Sequence, residues 1–491
     1  MNSVQNRILK LAVATTLVAA NVMLSACAVG PQFQRPQAPA VDNYTATQSS
    51  APVVGESVQA QQFDLGASLP SDWWVLFKSP ELNGLIEQAQ ASNQTLAAAQ
   101  ATVEQARALT EARTGARYPQ VDLTAGTGRQ KYGKQFLGPI SPPPPFTYFA
   151  FGPNVSYTLD YTGGVGRAIE QQQALTEYQQ WQLQAARLAV TGNVVQRALE
   201  VAASRDQMRA LDDVLADDRR TLDMIRAAHE AGSVSRVDVL SAQNQLASDE
   251  TLLPPLRQQL SIAQHELAVL IGQTPATASL ADLSLSSFTL PQQLPVNLPS
   301  ELAHRRPDIL AAEAQLHAAT AAVGVATANL YPRITLSASL SQQALEASEL
   351  FDSSNTAWSL ISGVTAPLFD GGKLRAERRA AVAALAAESA KYQQVVLESF
   401  AQVANALDAI NHSAEQLAAQ SQALTIAQQS LDLTRESYNE GNVGVLQVLE
   451  SERLYQQARL GYVRAQAQRL QDTARLFVAL GAPQNETVAS R

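Results

Sequence analysis

The stretch Val403-Ala-Asn-Ala-Leu407-Asp-Ala-Ile410-Asn-His-Ser-Ala414-Glu-Gln-Leu417 decides the fold. Val403, Ile410 and Leu417 stand seven residues apart, Leu424 and Leu431 continue the series, and Leu407 and Ala414 share the same seam. After Gly441 the beat resumes with Leu449, Val463, Leu470 and Phe477, beside Leu446, Leu460, Ala467 and Ala474, and Gln456 interrupts it once. A seven-residue apolar repeat sustained this long winds helices into a left-handed coiled coil. A helix from Gly371 to Tyr438 would be about 100 Å long at the α-helical rise, far beyond an ordinary globular helix. The run to Leu480, broken only at Gly441, therefore reads as two long helices and a tight turn: a tube wall, a stalk or a filament.

The same hairpin occurs earlier. Arg226-Ala-Ala-His-Glu-Ala-Gly232-Ser-Val234-Ser-Arg-Val-Asp238-Val-Leu240 aligns with Arg435-Glu-Ser-Tyr-Asn-Glu-Gly441-Asn-Val443-Gly-Val-Leu-Gln447-Val-Leu449. Upstream, Tyr161-Thr-Gly163-Gly164 aligns with Phe369-Asp-Gly371-Gly372, and Tyr118-Pro119 with Tyr331-Pro332. An offset that stays near 210 residues over such distances marks an internal duplication.

Between the Tyr-Pro and Gly-Gly landmarks each copy alternates. Val121, Leu123 and Ala125 alternate with Asp122, Thr124 and Gly126, and Val155, Tyr157, Leu159 and Tyr161 with Asn154, Ser156, Thr158 and Asp160. In the second copy Ile334, Leu336, Ala338 and Leu340 alternate with Thr335, Ser337, Ser339 and Ser341, and a further stretch runs from Trp358 to Leu368. Segments of about ten alternating residues have the length and pattern of membrane β-barrel strands. One such pair alone would equally suit an amphipathic hairpin on a soluble core; its recurrence at the repeat offset favours the barrel. No run after the N-terminal leader reads as a transmembrane helix. Four strands are too few to close a barrel and open edges are not tolerated in lipid, so the barrel must be shared between subunits.

Arg7 and Lys10 precede an apolar run from Leu11 to Leu24, then Ser25-Ala26-Cys27. This is a secretory signal peptide, and Leu24-Ser25-Ala26-Cys27, holding the single Cys of the chain, resembles a bacterial lipobox. Acylation at Cys27 would anchor the mature chain stably to a membrane, and Ala28 rather than Asp implies outer-membrane sorting. A Pro/Ala/Ser/Gln-rich segment to about Ser68 reads as extended on a surface. Trp73-Trp74 with Phe77 reads as a short helix packed on a neighbour, and the residues from Glu81 to about Arg117 as a helix. The residues from Gly272 to Pro299 read as a non-helical connection. In Arg305-Arg306-Pro307-Asp308, Pro and Asp suit a helix start, which leaves the paired arginines unexplained.

The net charge of -9 and the lack of a basic stripe argue against a nucleic-acid partner. The five histidines (His229, His265, His304, His317, His412) have no metal-ligand spacing. Nothing resembles a P-loop or a nucleophile elbow, and the expectation is no enzyme, no metal and no cofactor beyond the lipid on Cys27.

Cys27 with Val29-Gly30-Pro31, Trp73-Trp74 with Phe77, Arg305-Arg306-Pro307-Asp308-Ile309, Ala312-Glu313, Ala322, Gly324 and Tyr331-Pro332 together resemble the TolC-like outer-membrane efflux factors, in their lipoprotein (NodT-type) branch. That resemblance covers nearly the whole mature chain. It implies a homotrimer, mainly α with membrane β: four strands per subunit in a twelve-stranded barrel, and coiled-coil hairpins in a periplasmic α-barrel. The partners it implies are outer-membrane lipid, a periplasmic adaptor (membrane fusion) protein and an inner-membrane efflux transporter; a lipid-anchored stalk or surface adhesin without a pore is the alternative. The implied organisation is a signal peptide (1–26), a lipidated segment (27–80) and a first repeat (81–271) with its strand pair at about 119–162 and tip near 232. An equatorial linker (272–300), a second repeat (301–481) with strands at about 332–369 and tip near 441, and a tail (482–491) follow. The tips Gly232, Val234, Gly441 and Val443 would dock the adaptor. Glu450 and Arg453 stand at the family's gate, with Glu for the usual Asp and Gln447 for a second acid; an i,i+3 surface pair is the equal alternative.

Overall fold

The computed structural model describes residues 29–37, 41, 43–45, 61–133 and 144–481. The expected signal peptide, Cys27 and the 482–491 tail lie outside the described residues. Contacts divide the chain into two compact units, and each draws on both sequence repeats. Of the described residues, one holds 29–35, 104–133, 144–178 and 312–392; the other holds 36–37, 41, 43–45, 61–103, 179–311 and 393–481.

The first unit is organised on an antiparallel sheet of β2 (Gln120–Gln130), β3 (Phe146–Leu159), β5 (Arg333–Ala344) and β6 (Thr356–Thr365), in the order β2-β3-β5-β6. β2 pairs with β3 from Gln120↔Ser156 to Gln130↔Phe146, and β5 with β6 from Arg333↔Thr365 to Gln342↔Thr356. β3 and β5, one from each repeat, join the two pairs, with Leu159 opposite Ile334. At Gly152 the β5 backbone comes so close that a Cβ would sit 2.0 Å from the Leu340 carbonyl oxygen, so only glycine fits. Neither face of β2 is covered: Val121 and Leu123 are exposed, and so are Asp122 and Thr124. On β6, Trp358, Leu360 and Val364 are exposed likewise.

In the same unit the N-terminal segment docks on α7 (Pro307–Ala328). Gly30, at φ +96, lies so close to Gly324 that a Cβ would sit 2.5 Å from its Cα. Phe33 stacks on His317 at 4.4 Å, and Arg35 pairs with Glu313 at 2.8 Å. Two glycines singled out in the sequence are thus two halves of one contact.

The second unit carries the core. Trp73, in a 3-10 turn at Trp73–Phe77, and Phe77 are buried against Phe477, with ring centroids 5.7 and 6.1 Å away. The Trp pair is therefore a packing element. The single helix expected from Glu81 to about Arg117 is two helices, α1 (Pro80–Ser92) and α2 (Gln94–Thr114). Asn93 causes the break: its Oδ1 accepts from the Thr95 and Leu96 amides, an N-cap inside an otherwise helical pattern. The connection expected to be non-helical contains a strand, β4 (Gln293–Val296), parallel to β1 (Gln62–Leu65), and ends in the short helix α6 (Pro299–Arg305).

The paired arginines also find their reason. Arg306 is buried; its guanidinium donates to the Ala479 carbonyl at 2.8 Å and to Asp308 at 2.8 Å, tying the α6–α7 junction to the end of α9 (Val445–Leu480). Arg305 faces outward to Ser68. The reading that no later segment could be a transmembrane helix is corrected by α7, which is long and apolar enough by length and composition. Over half of its most apolar window is buried within the fold, which accounts for its hydropathy by packing.

The long helices are α3 (Gly164–Glu230) and α8 (Lys373–Asn439), each of 67 residues. The return arm of α8 is the continuous α9. The return arm of α3 is divided into α4 (Arg236–Glu250) and α5 (Leu253–Leu270). The heptad seam is buried at Val403, Leu407, Ile410, Ala414, Leu417 and Leu431, and again at Leu449, Leu460, Ala467, Leu470, Ala474 and Phe477. Leu446, expected beside it, is exposed.

Candidate functional site: the hairpin tips and the buried polar seam

Each tip ends its helix in the same way. At the first, the Gly232 amide donates to the His229 carbonyl at 2.8 Å and Ser233 to Ala228 at 2.9 Å. At the second, Gly441 donates to Tyr438 at 2.9 Å and Asn442 to Ser437 at 2.9 Å. This is the Schellman pattern, which needs a left-handed residue after the helix; Gly232 and Gly441 supply it at φ +83 and +78. The next helix starts differently at the two tips. Ser235 and Asp238 form a reciprocal capping box on α4, whereas Gly444 and Gln447 stand at the same places of α9 and give it no side-chain cap.

The two tips of the chain meet. Gly232, Val234, Asp238, Tyr438, Val443 and Gln447 line a shared groove of about 610 Å³. Beneath it Leu222, Ile225, Val239, Ala242, Val445 and Leu449 form a small apolar cluster, with Val234 packed on its edge. Of the expected tip residues, Gly232, Val234 and Val443 are thus in one place, and Gly441 is outside the groove lining. Glu450 and Arg453 form a bidentate pair with each other, at 2.5 and 2.9 Å. Their side chains are 56% and 40% exposed, and the Arg453 hydrogen bond holds the Glu450 carboxyl below the usual range.

Further along the same helices lies a cluster that the sequence reading passed over. Asp218 of α3, Asp249 of α4 and Glu452 of α9 are all buried. Glu452 accepts from Thr221 and from Arg435 of α8, each at 2.8 Å. Gln456, the residue that interrupts the heptad beat, donates to Asp218 at 2.9 Å, and Gln245 donates to Asp249 at 2.7 Å. A signal was available: Leu211, Asp218 and Ile225 stand seven apart, so an acid occupies an apolar seam position.

A four-stranded sheet whose edge strands are exposed on both faces and unpaired on their outer sides among the described residues, in a chain of long helix hairpins, defines the subunit of a membrane channel. The chain belongs to the outer membrane efflux protein family, whose sequence profile matches residues 85–273 and 298–482. It is 34% identical over 413 residues to the pyoverdine export outer membrane protein OpmQ of Pseudomonas aeruginosa, covering 83% of this chain and 86% of that protein. The probable outer membrane lipoprotein SilC of Salmonella typhimurium is 27% identical, covering 94% of this chain and 96% of its own length. The structure of the outer-membrane channel OprN superposes with a TM-score of 0.83 at 27% identity, covering 93% of this chain and 99% of that one. The open state of the Neisseria gonorrhoeae channel MtrE gives 0.81 at 25% identity, covering 93% and 98%. Export through the outer membrane is therefore the function of this protein, a transport component in a family of channels rather than enzymes.

Proposed function

We propose that three copies of this chain form one passive exit duct for small molecules. Each copy gives β2, β3, β5 and β6 to a shared twelve-stranded barrel, and its hairpins to a helical tube reaching into the periplasm. The observation that carries this reading is the sheet. Among the described residues β2 and β6 have no partner on their outer sides, and Val121, Leu123, Trp358, Leu360 and Val364 stand exposed on them. In lipid, each unpaired backbone group costs several kcal/mol, so the edges must close on other copies.

In this reading Cys27 carries the lipid anchor, and Gly232, Val234, Gly441 and Val443 dock a periplasmic adaptor supplied by an inner-membrane transporter. Glu450 and Arg453 form the gate. Relatives that match along most of this chain are named for pyoverdine, cations and toluene. The duct is accordingly common to many cargoes, and the pump selects among them.

Planar-bilayer conductance of the purified chain, with its mass in detergent, tests the duct. Trimeric mass with stepwise conductance is the expected result. No conductance under any condition, tip variants included, would leave the lipid-anchored stalk. Labelled palmitate should appear on the wild type and be lost in Cys27→Ser.

A further inference from the structure

The buried acids in the hairpins have no counterpart in the duplicate. Carried across the offset that superposes Gly232 on Gly441, Asp218 falls on Ala427 and Asp249 on Ala458. The cluster is thus a local addition to the repeat, placed on apolar seam positions where a charge is costly.

The charges facing Asp218 are unequal. Asp249 faces it from α4, joined to it through Gln245 and Gln456, and Glu452 faces it from α9. The cation of the cluster, Arg435 of α8, is directed to Glu452 at 2.8 Å and more distantly to Asp217 at 3.8 Å. The neighbouring Arg219 is engaged by Glu250, and Arg220 by Asp217. Asp218 Oδ2 and Glu452 Oε2 are buried without a hydrogen-bond donor. A buried carboxyl with one oxygen lacking a donor, facing two other buried carboxyl groups, is favoured in its protonated form.

The cluster also sits at a mechanical break. Asp249 is the penultimate residue of α4, and Thr251 and Leu252 separate α4 from α5. Pro254 and Pro255 lack the amides that would continue the helix. The amides of Thr251 and Leu252 instead close tight turns onto Ser248 and Asp249.

We propose that Asp218, Asp249 and Glu452 form a proton-operated latch holding α4 against α3 and α9: a proton on Asp218 closes it, and loss of that proton to solvent releases α4 about the Thr251–Leu252 break. Burial, and then the facing Asp249, push the Asp218 carboxyl up to about 7. A raised acid binds its proton more tightly in the folded state, so the contact strengthens as pH falls through about 7 towards the unfolded-state value of about 4. Above about 7 the second buried negative charge is present in full and the latch is loose.

The latch rests on contacts within one chain; only its effect on conductance rests on the exit-duct reading. The test uses the full chain in detergent and infrared difference spectra between about pH 5.5 and about pH 8. Spin-label distances between introduced cysteines at Ser248 and Gln457, in a Cys27→Ser background, give a second readout. The wild type should show a protonated-carboxyl C=O band that disappears with a midpoint near 7, and the label distance should lengthen with the same midpoint. Asp218→Asn should remove both responses and hold the short distance. Asp249→Asn should also hold the short distance, and should lower the midpoint of the band because burial still raises Asp218 without that facing group; this keeps the test open if the first variant folds poorly. No band in the wild type, no distance change, or a distance change surviving in both variants would overturn the latch. Conductance that ignores pH while band and distance respond would count against its coupling to the duct and leave the latch in place.

Discussion

The first hairpin of the chain returns on a divided arm, α4 and α5, whereas the second returns on the unbroken α9. Both turn on the same Schellman geometry about Gly232 and Gly441. The first has a capping box at its restart, two prolines and two buried acids, neither of them paired with an arginine; the second has an uncapped restart, two buried acids, Glu452 and Asp472, each paired with an arginine, and an exposed ion pair. Duplication has kept the turn, which backbone geometry fixes, and has let charge and stiffness diverge, which side chains fix. Mobility is therefore expected in the first hairpin and rigidity in the second.

The largest difference should come from two arginines at equivalent places. Arg435 pairs with Glu452, whose side chain is 3% exposed, whereas Arg226 pairs with exposed Asp223 at 3.3 Å. Arg435→Ala leaves a buried carboxylate without its cation. Stranding a fully buried charge costs about 3–5 kcal/mol. Because the Arg435 side chain is 38% exposed, about 2 kcal/mol is expected. Arg226→Ala should stay within about 0.5 kcal/mol. Denaturant unfolding followed by helical circular dichroism measures both, and equal losses would break the asymmetry.

Much of the fold was legible because it rests on period. The heptad from Val403 to Leu431 and the alternation around Val121 and Ile334 each repeat often enough to be read without contacts. The break at Asn93 was missed because an N-cap within a helical pattern acts through one side chain and leaves the period intact. Arg306 was unreadable for another reason: its acceptor, the Ala479 carbonyl, lies far along the chain and belongs to a helix end. The polar cluster fell between these cases. Gln456 was visible as an interruption of the beat, but its meaning depends on Asp218, brought to it by the fold.

A smaller effect separates the two restarts. Ser235 and Asp238 give the helix-start donors side-chain acceptors that Gly444 and Gln447 do not, the Gln447 amide having only the Gly444 carbonyl at 3.1 Å. Ser235→Ala should cost about 1 kcal/mol. Gly444→Ser combined with Gln447→Asp, which rebuilds the box on α9, should gain about 0.5–1 kcal/mol. Hydrogen exchange at the amides of residues 238 and 447 reads the change directly. Slower exchange at 447 in the rebuilt tip would sharpen the comparison, and no change there would show that the second tip is held by contacts other than its own cap.

The smallest effect on stability, and the most specific for the duct, belongs to Glu450 and Arg453. Their bond is exposed, so Glu450→Ala or Arg453→Ala should leave the melting temperature of the assembly unchanged. If the pair helps to close the tips, each variant should nevertheless raise single-channel open time, and the double variant should add little because both changes break one interaction. Fully additive gains would mean that the two residues act separately; unchanged conductance in both would leave an ordinary surface pair. pH then separates this pair from the buried acids. The Glu450 carboxyl is held below its ordinary 4.5, so its contribution is present above that value and is lost only as pH falls through the lowered one. It keeps its charge throughout neutral and mildly acidic conditions, whereas Asp218 changes charge near 7. A response of the channel centred near 7 should therefore survive Glu450→Ala and vanish in Asp218→Asn, and the reverse outcome would move the titrating group from the first hairpin to the second.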